Sequence, residues 1–279
     1  MINSHVPTPN SQGVGRRRVG FGILILGVVA LTAGCAARLV SLPTDPGAPL
    51  PDFTQIHRQA SSACSGVRTL TAELGLSGRA GGRAVRGRAI VGFERPASIR
   101  LEGVAPFGPP AFVLAGTGAT ATLVLPRDNR VLRNARADDI LGALTGVALS
   151  PADLLAVFTG CVTAMPVASA GRLHRNGWAS IDLGGDATVF LERVALGWQP
   201  RAARRPGWQI EYPEWQGAFP ATVRLRSLDP QVNVDLSAAV SQLEANITVD
   251  PAAFKVDVPR EALSLTLDEL RDVGPLREE

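Results

Sequence analysis

The sequence predicts a mainly β domain of the α+β class. We expect a strongly curved antiparallel sheet or half-open barrel of about eleven strands, with helices covering its concave face. Many short segments alternate apolar and polar residues and are separated by turn residues. Helical segments are few, and one of them is apolar almost all round. Apolar residues make up 46% of the chain, enough to form a sizeable core.

The alternation of apolar and polar residues is clearest in the first predicted strand. Leu70, Ala72, Leu74 and Leu76 are separated by polar residues or glycine, as in a strand with one dry face. Gly81-Gly82 predicts a turn, and Asn176-Gly177 predicts a hairpin. The strand-like segments are 68–78, 84–93, 99–102, 112–116, 121–126, 172–183, 188–192, 193–198, 208–212, 222–227, 232–237 and 244–250.

Four segments predict helices: 53–66, 137–146, 150–160 and 266–271. Ser150, Pro151 and Asp153 supply an N-cap, a proline at the first helical position and an acid in the first turn. The following residues leave almost no polar face, so this helix is expected to lie buried on the concave side of the sheet. Thr266 and Glu269 frame a second capping box.

The amino-terminal region is typical of a signal peptide. Arg16 to Arg18 precede an apolar run of 15 residues, 19–33, which is short for a bilayer span of about 20 residues. Leu31 to Cys35 then match the lipobox of bacterial lipoproteins. The alternative is a single uncleaved anchor helix with a chance cysteine.

The lipobox resemblance implies cleavage after Gly34, a diacylglycerol on the sulfur of Cys35 and an acyl chain on the new amine. In that family an aspartate after the cysteine favours the inner membrane, so Ala36 implies a lipid anchor in the outer membrane, facing the periplasm. We expect no other cofactor.

These features divide the chain into a signal peptide at 1–34, a proline-rich tether at 35–52 and one domain at 53–279. The signal holds three arginines and no acid, so the remainder balances at 25 basic and 25 acidic residues. The apparent basic character therefore belongs to the signal, and no nucleic-acid partner is expected.

The order of segments resembles a known family. Segment 94–126 reads as a strand, an uncharged loop with Phe-Gly and a strand pair; 144–160 is a Gly-bounded helix, and 254–271 closes the chain. This order resembles the outer-membrane lipoprotein receptor LolB and the wider LolA/LolB-like lipoprotein-sorting proteins. The resemblance implies a half-barrel that binds acyl chains, a periplasmic LolA-like carrier as partner and a role in lipoprotein localisation or insertion. The alternative is a structural or assembly lipoprotein of an envelope complex that uses the fold without carrying lipid.

The resemblance also implies a loop that touches the bilayer. Residues 103–126 carry no charge, and Val104, Phe107 and Pro109 lie in the predicted loop. Phe107 is the candidate contact by position; alternatively, it packs under the sheet edge. The candidate cavity residues are Leu74, Val91, Leu101, Leu154 and Phe158.

Other residue types give weaker signals. His57 and His174 lie far apart without spaced carboxylates or thiols, so no metal site is expected. No nucleophile, metalloprotease or phosphate-loop motif occurs, so we do not expect an enzyme. Asp138-Asp139 suits a helix start better than acid–base catalysis. Cys64 and Cys161 form either a disulfide between the helices that close the cavity or two buried thiols.

Overall fold

The structure of the protein, a computed structural model, describes residues 40–273. The strands of this part are β1 (Ala48–Pro49), β2 (Thr69–Ala80), β3 (Arg83–Glu94), β4 (Ser98–Val104), β5 (Phe112–Thr117), β6 (Thr120–Leu125), β7 (Arg130–Ala135), β8 (Ala170–Leu173), β9 (Ala179–Asp182), β10 (Thr188–Val194), β11 (Gly197–Arg205), β12 (Trp208–Gln216), β13 (Phe219–Ser227), β14 (Asp235–Ala245) and β15 (Leu263–Ser264). The helices are α1 (Phe53–Ala60), α2 (Ser62–Ser65), α3 (Ala137–Thr145), α4 (Pro151–Thr159) and α5 (Leu267–Val273), and a 3₁₀ turn covers Pro251–Phe254.

The strands of the described part form one open sheet in the order β1-β8-β9-β10-β11-β12-β13-β14-β2-β3-β4-β5-β6-β7-β15. Neighbours pair antiparallel, apart from the parallel contact of β15 with β7. The predicted mainly β architecture with an open antiparallel sheet is therefore confirmed. Residues from β2 to β13 share one hydrophobic core with α3 and α4, so the sheet curves around these two helices.

The predicted number of about eleven strands was wrong, because the described residues form 15. β1 and β15 have two residues each, too few for a pattern. β7 carries adjacent buried residues, Val131 and Leu132, so its sequence does not alternate, and its register with β6 shifts between Leu132 and Ala135. Segment 193–198 holds the turn between β10 and β11, and β14 is one strand where two were predicted.

The two central helices, α3 and α4 with their link 146–150, form a helical cover over the concave face. α4 contacts β3, β4 and β13, and α3 contacts β6. Every α4 residue from Leu154 to Thr159 is buried, as the apolar sequence predicts. The backbone N–H of Asp153 donates to Oγ of Ser150, which confirms the predicted N-cap.

The region before the domain is partly docked onto it. The carbonyl oxygen of Asp45 lies 3.1 Å from Nδ1 of His174, and Ala48–Pro49 pairs with β8. The predicted tether 35–52 is therefore held against the sheet from Asp45 onwards. The predicted first helix breaks at Ser61 into α1 and α2. Among the helices of residues 40–273, none is long and apolar enough to cross a membrane.

Successive antiparallel strands are connected alternately at one end of the strands and at the other. We call the end with connections 81–82, 105–111, 126–129 and 228–234 the mouth end. The other end, which has connections 66–68, 95–97 and 118–119, is the disulfide end. Gly81 and Gly82 both have positive φ, +57° and +78°, which explains the glycine pair in the mouth-end turn.

Candidate functional site

An apolar cavity of about 90 Å³ lies between the concave face and the helical cover. All five candidate cavity residues line it: Leu74, Val91, Leu101, Leu154 and Phe158. The other lining residues are Leu76, Val85, Phe93, Ile99, Leu141, Thr145, Val147, Val223, Leu225, Leu236, Ser237 and Ala238. The walls are thus almost entirely hydrocarbon, and the site can bind apolar groups but offers little chemistry.

The volume shows that the cover leaves little space against the sheet. Ligand pockets typically measure about 300 to 1,000 Å³, and an engineered cavity that binds benzene measures about 150 Å³. A cavity of about 90 Å³ is smaller than both, so a long acyl chain fits only if the cover moves. The wall that can move is the helical one, because the strand wall is held by continuous backbone pairing.

The carboxyl-terminal end of the cover is fixed. Cys64 and Cys161 form a disulfide with a Cα–Cα distance of 5.6 Å, linking α2 to the residue just after α4. Phe158 stacks on Phe93 of β3 with ring centroids 6.1 Å apart. Both cysteines are buried, and they contact Ala156 of α4 in a small cluster of their own.

An ion pair holds the first turn of α4. Nη2 of Arg205 donates to Oδ2 of Asp153 over 3.0 Å, and the backbone N–H of Ala164 donates to Oδ1. Burial acts to raise the pKa of Asp153, but the hydrogen bond and charge of Arg205 outweigh it and hold this pKa below its ordinary value. This carboxylate is therefore a structural anion, not a general acid.

The predicted membrane-contact loop projects from the mouth end. The side chain of Phe107 is 88% exposed, and Pro109 is exposed while Val104 is half-buried. Nη2 of Arg127 donates to the carbonyl oxygen of Phe107 over 2.8 Å, which fixes the backbone beneath the exposed ring. The alternative that Phe107 packs under the sheet edge does not agree with this exposure.

The remaining candidate residues have structural contacts. Nε2 of His174 lies 2.9 Å from Oγ of Ser180, and burial lowers the pKa of His57. Arg136 donates a hydrogen bond to Asp138 in the first turn of α3, and this bond lowers the pKa of Asp138. Within residues 40–273, no group of His, Cys, Asp and Glu is arranged to hold a metal ion. Cys35, the predicted lipidation site, lies outside the described residues.

Sequence reasoning missed the β13 and β14 wall of the cavity. Val223, Leu225, Leu236 and Ala238 lie on one face because cross-strand partners share a face, and they do alternate along their strands. That alternation could have indicated them. Which strands adjoin β2 could not be predicted from it, because β14 follows β2 by more than 150 residues.

No protein-family model and no curated protein sequence matches the chain. Solved structures similar to it include a LolA superfamily protein from Nitrosomonas europaea, with 9% identity, a TM-score of 0.48 and coverage of 72% of this chain and 97% of that one. A DUF1329 family protein from Desulfovibrio piger has 11% identity, a TM-score of 0.46 and coverage of 74% and 97%. The Mycobacterium tuberculosis lipoprotein LppX has 13% identity, a TM-score of 0.31 and coverage of 72% and 99%. The similar structures thus include the group that the sequence resembles, and at these scores they carry no evidence about ligand or partner.

Proposed function

We propose that this protein is an acyl-chain-binding lipoprotein of the outer membrane, anchored through Cys35 and facing the periplasm. It binds chains between the curved sheet and the helical cover and takes part in lipoprotein localisation or insertion, receiving its ligand from a LolA-like carrier. The observation that carries the proposal is the apolar cavity itself, whose walls are hydrocarbon from both sheet and helices.

The energetics suit an acyl chain. Displacing the cover exposes apolar side chains such as Leu141 and Leu154, which is unfavourable. Each buried methylene contributes about 0.8 kcal/mol, so one long chain contributes on the order of 10 kcal/mol. That gain is large enough to offset partial displacement of α3 and the 146–150 link. No reacting group is needed for binding of this kind.

The Phe107 loop supplies a way to reach the bilayer. It projects from the mouth end, the edge at which Thr145 and Val147 of the cover meet the cavity. An exposed aromatic ring in an uncharged loop gains free energy in the interfacial region of a membrane. Contact there places the mouth end against the lipid surface, so a chain can pass between cavity and bilayer without crossing water.

Filling the cavity tests the binding step. Ala238→Leu adds three carbon atoms to the wall of the cavity. At about 30 Å³ for each, the volume that one water molecule takes in the liquid, these atoms would fill the cavity. We expect unfolding free energy to be unchanged or higher by about 1 kcal/mol, and binding of a dipalmitoyl phospholipid to fall at least tenfold. Ala239→Leu, on the exposed opposite face of β14, is the matched control. Equal lipid binding by both variants would exclude the cavity as the site.

Changing the loop tests the membrane step. Phe107→Glu should leave the melting temperature unchanged, because the ring makes few contacts, and should impair lipid release to vesicles. Leu196→Glu is the control, since Leu196 is 94% exposed in the β10–β11 turn, away from the mouth-end connections. Transfer by Phe107→Glu at the rate of the unmodified protein would remove the loop from the mechanism.

One observation favours a second candidate function. The buried cover leaves only about 90 Å³ between helices and sheet, as expected for a structural or assembly lipoprotein whose concave face is permanently filled. In that case neither Ala238→Leu nor Ala239→Leu would alter lipid retention. A stable protein partner would then be recovered with the full chain.

A further inference from the structure

We infer that the β2–β3 hairpin at the mouth end docks on the surface of an anionic phospholipid bilayer. This inference rests on the proposed function, in which the mouth end contacts a bilayer, and it names the lipid chemistry of that contact. On one side of the hairpin, β4 ends at Val104, the partner of Arg88. On the other side, β14 begins at Asp235, the partner of Arg79. The turn of the hairpin therefore extends past both neighbouring strands.

The projecting part of the hairpin is basic. Residues 74–93 include four arginines and no acidic residue. Arg88 is paired with Glu73 over 3.0 Å and is not counted as an available cation. Arg79 and Arg86 are exposed, and within residues 40–273 neither side chain forms a hydrogen bond or an ion pair. Two guanidinium groups are therefore available to a ligand outside the chain.

These two arginines lie on the same face of the hairpin. Arg86 follows Val85 of the cavity wall, and successive residues of a strand point to opposite faces, so Arg86 lies on the convex face. Arg79 pairs with Ala84, which is two residues before Arg86 and shares its face. The convex face therefore presents both guanidinium groups to the outside, away from the helical cover.

The carboxylate beside Arg79 is already occupied. Asp235 is the cross-strand partner of Arg79, but its two oxygens accept hydrogen bonds from Arg224. Arg83 lies on the concave side, beside the last turn of α3, and the inference does not depend on it. Guanidinium presents paired N–H donors that match phosphate oxygens, so Arg79 and Arg86 suit lipid phosphate groups.

Exposed apolar side chains flank the hairpin on both sides. The β4–β5 connection carries Phe107, and the β13–β14 connection carries Leu228 and Val232, which are 47% and 36% exposed. A Cβ added to Gly82 would lie 3.4 Å from Nδ2 of Asn233, so the β13–β14 connection adjoins the turn of the hairpin. Basic side chains for the headgroups beside apolar side chains for the acyl boundary are the features of a surface that binds a membrane.

Two carboxylates at the mouth end oppose an anionic surface, Asp128 and Asp229. The segment 77–88 and connections 105–111, 126–129 and 228–234 together hold five arginines and these two aspartates, whereas the whole chain after Gly34 is balanced. The mouth end is therefore positive relative to the rest of the domain. Because Arg79 and Arg86 lie on an open face and not in a pocket, an extended charged surface fits them better than a single small anion.

The test uses the full chain, inserted into vesicles through its own amino-terminal region. Gln231→Cys carries an environment-sensitive fluorophore in the exposed β13–β14 connection and leaves Phe107 and the arginines unchanged. The chain without this substitution, treated with the same reagent, gives the background from other thiols. The vesicles contain either dioleoyl phosphatidylcholine alone or an equal mixture of it with dioleoyl phosphatidylglycerol. We expect the fluorophore to enter an apolar environment mainly on the anionic vesicles.

Removing the two arginines should undo this preference. Arg79→Gln with Arg86→Gln should lower the ratio of docked to undocked protein on anionic vesicles about 25-fold, at about fivefold for each basic residue near an anionic surface. High salt should act in the same direction. Arg58→Gln with Arg175→Gln is the matched control, because it removes the same charge from exposed arginines of α1 and the β8–β9 connection and should leave docking unchanged.

Three results would overturn the inference. Equal docking on the two kinds of vesicle, or an equal loss in the two double variants, would exclude the hairpin as the anionic contact while the apolar contact of Phe107 stands. Docking on neither kind of vesicle would contradict the membrane step of the proposed function itself. Should Arg79→Gln with Arg86→Gln still dock on anionic vesicles but lose an acidic protein that copurifies with the unmodified chain, the hairpin would bind a protein instead.

Discussion

The two ends of the sheet are held by different kinds of interaction. At the disulfide end, Cys64–Cys161 joins α2 to the end of α4 covalently, and Nε of Arg95 donates to the carbonyl oxygen of Val67 over 2.8 Å. The mouth end has the exposed Gly81-Gly82 turn and the exposed Phe107 loop, and α5 is tied there by the ion pair Arg130–Glu269. The helical cover is therefore fixed at one end and held by noncovalent packing at the other.

This difference shows which way the cover can open. α4 is held by the disulfide after its carboxyl terminus and by the Asp153–Arg205 ion pair in its first turn, so α3 and the 146–150 link should move first. Gly146, which ends α3 with φ +74°, lies in that link. If chains bind in the cavity, entry should then occur at the end of the sheet where the Phe107 loop also lies.

Removing the disulfide should have the largest effect on stability. Cys64→Ala with Cys161→Ala deletes a crosslink between residues 97 apart in the chain, and loss of such a link typically costs about 2–4 kcal/mol. We expect a lower melting temperature with lipid affinity raised by less than about threefold, because the entry end is unchanged. Thermal denaturation and lipid titration provide the two measurements.

The unmodified protein serves as its own control, because a reductant should lower its melting temperature and leave that of the double alanine variant unchanged. A large rise in lipid affinity after removal of the disulfide would contradict this difference between the two ends. It would show that the helical cover opens at the disulfide end.

Local signals in the sequence predicted much of the difference between the mouth end and the disulfide end. The lack of a polar face placed α4 in the core, and the absence of charge from 103–126 indicated the loop that the structure exposes. Cys64 and Cys161 could be selected as the two cysteines beyond the lipobox, but the sequence alone left two free thiols equally open. Their bond depends on where α2 lies against α4, which no local pattern encodes.

A groove at the mouth end, between the β2–β3 turn and the last turn of α3, shows the limit of such reasoning. Two of its lining residues, Arg83 and Arg271, are 188 positions apart, each in a stretch of sequence typical of solvated surface. They meet there because α5 packs on α3, whose last turn lies beside the β2–β3 turn. Tertiary contacts of this kind, like the pairing of β14 with β2, cannot be derived from periodicity.

Weakening the N-cap of α4 should have a smaller effect. Ser150→Ala removes the acceptor for the N–H of Asp153, and loss of an N-cap costs about 1 kcal/mol. Because Ser150 ends the 146–150 link, which we expect to move first, we expect faster lipid association as well as lower stability. Stopped-flow binding measures the first and chemical denaturation the second.

Ser65→Ala provides the comparison, since the exposed Ser65 hydroxyl bonds within α2 and outside the cover. Should both variants associate with lipid at the same rate, the 146–150 link would not belong to the moving part.

Acid should loosen the mouth end through Glu269, and this is the smallest effect we expect. Glu269 accepts from the backbone N–H of Thr266, from Arg130 and from the Thr266 hydroxyl, and these bonds lower its pKa to about 2. A lowered carboxyl pKa stabilises the fold above the ordinary value of 4.5, and the stabilisation is lost as pH falls towards about 2. Glu269→Gln cannot ionise, so its melting temperature should lie below that of the unmodified protein at pH 6 and approach it at low pH. A difference that stays constant from pH 6 to about pH 2 would show that the carboxylate charge does not fasten α5. The disulfide itself does not titrate, so acid weakens the ion pair that fastens α5 and leaves the covalent link between α2 and Cys161 intact, whereas a reductant does the reverse.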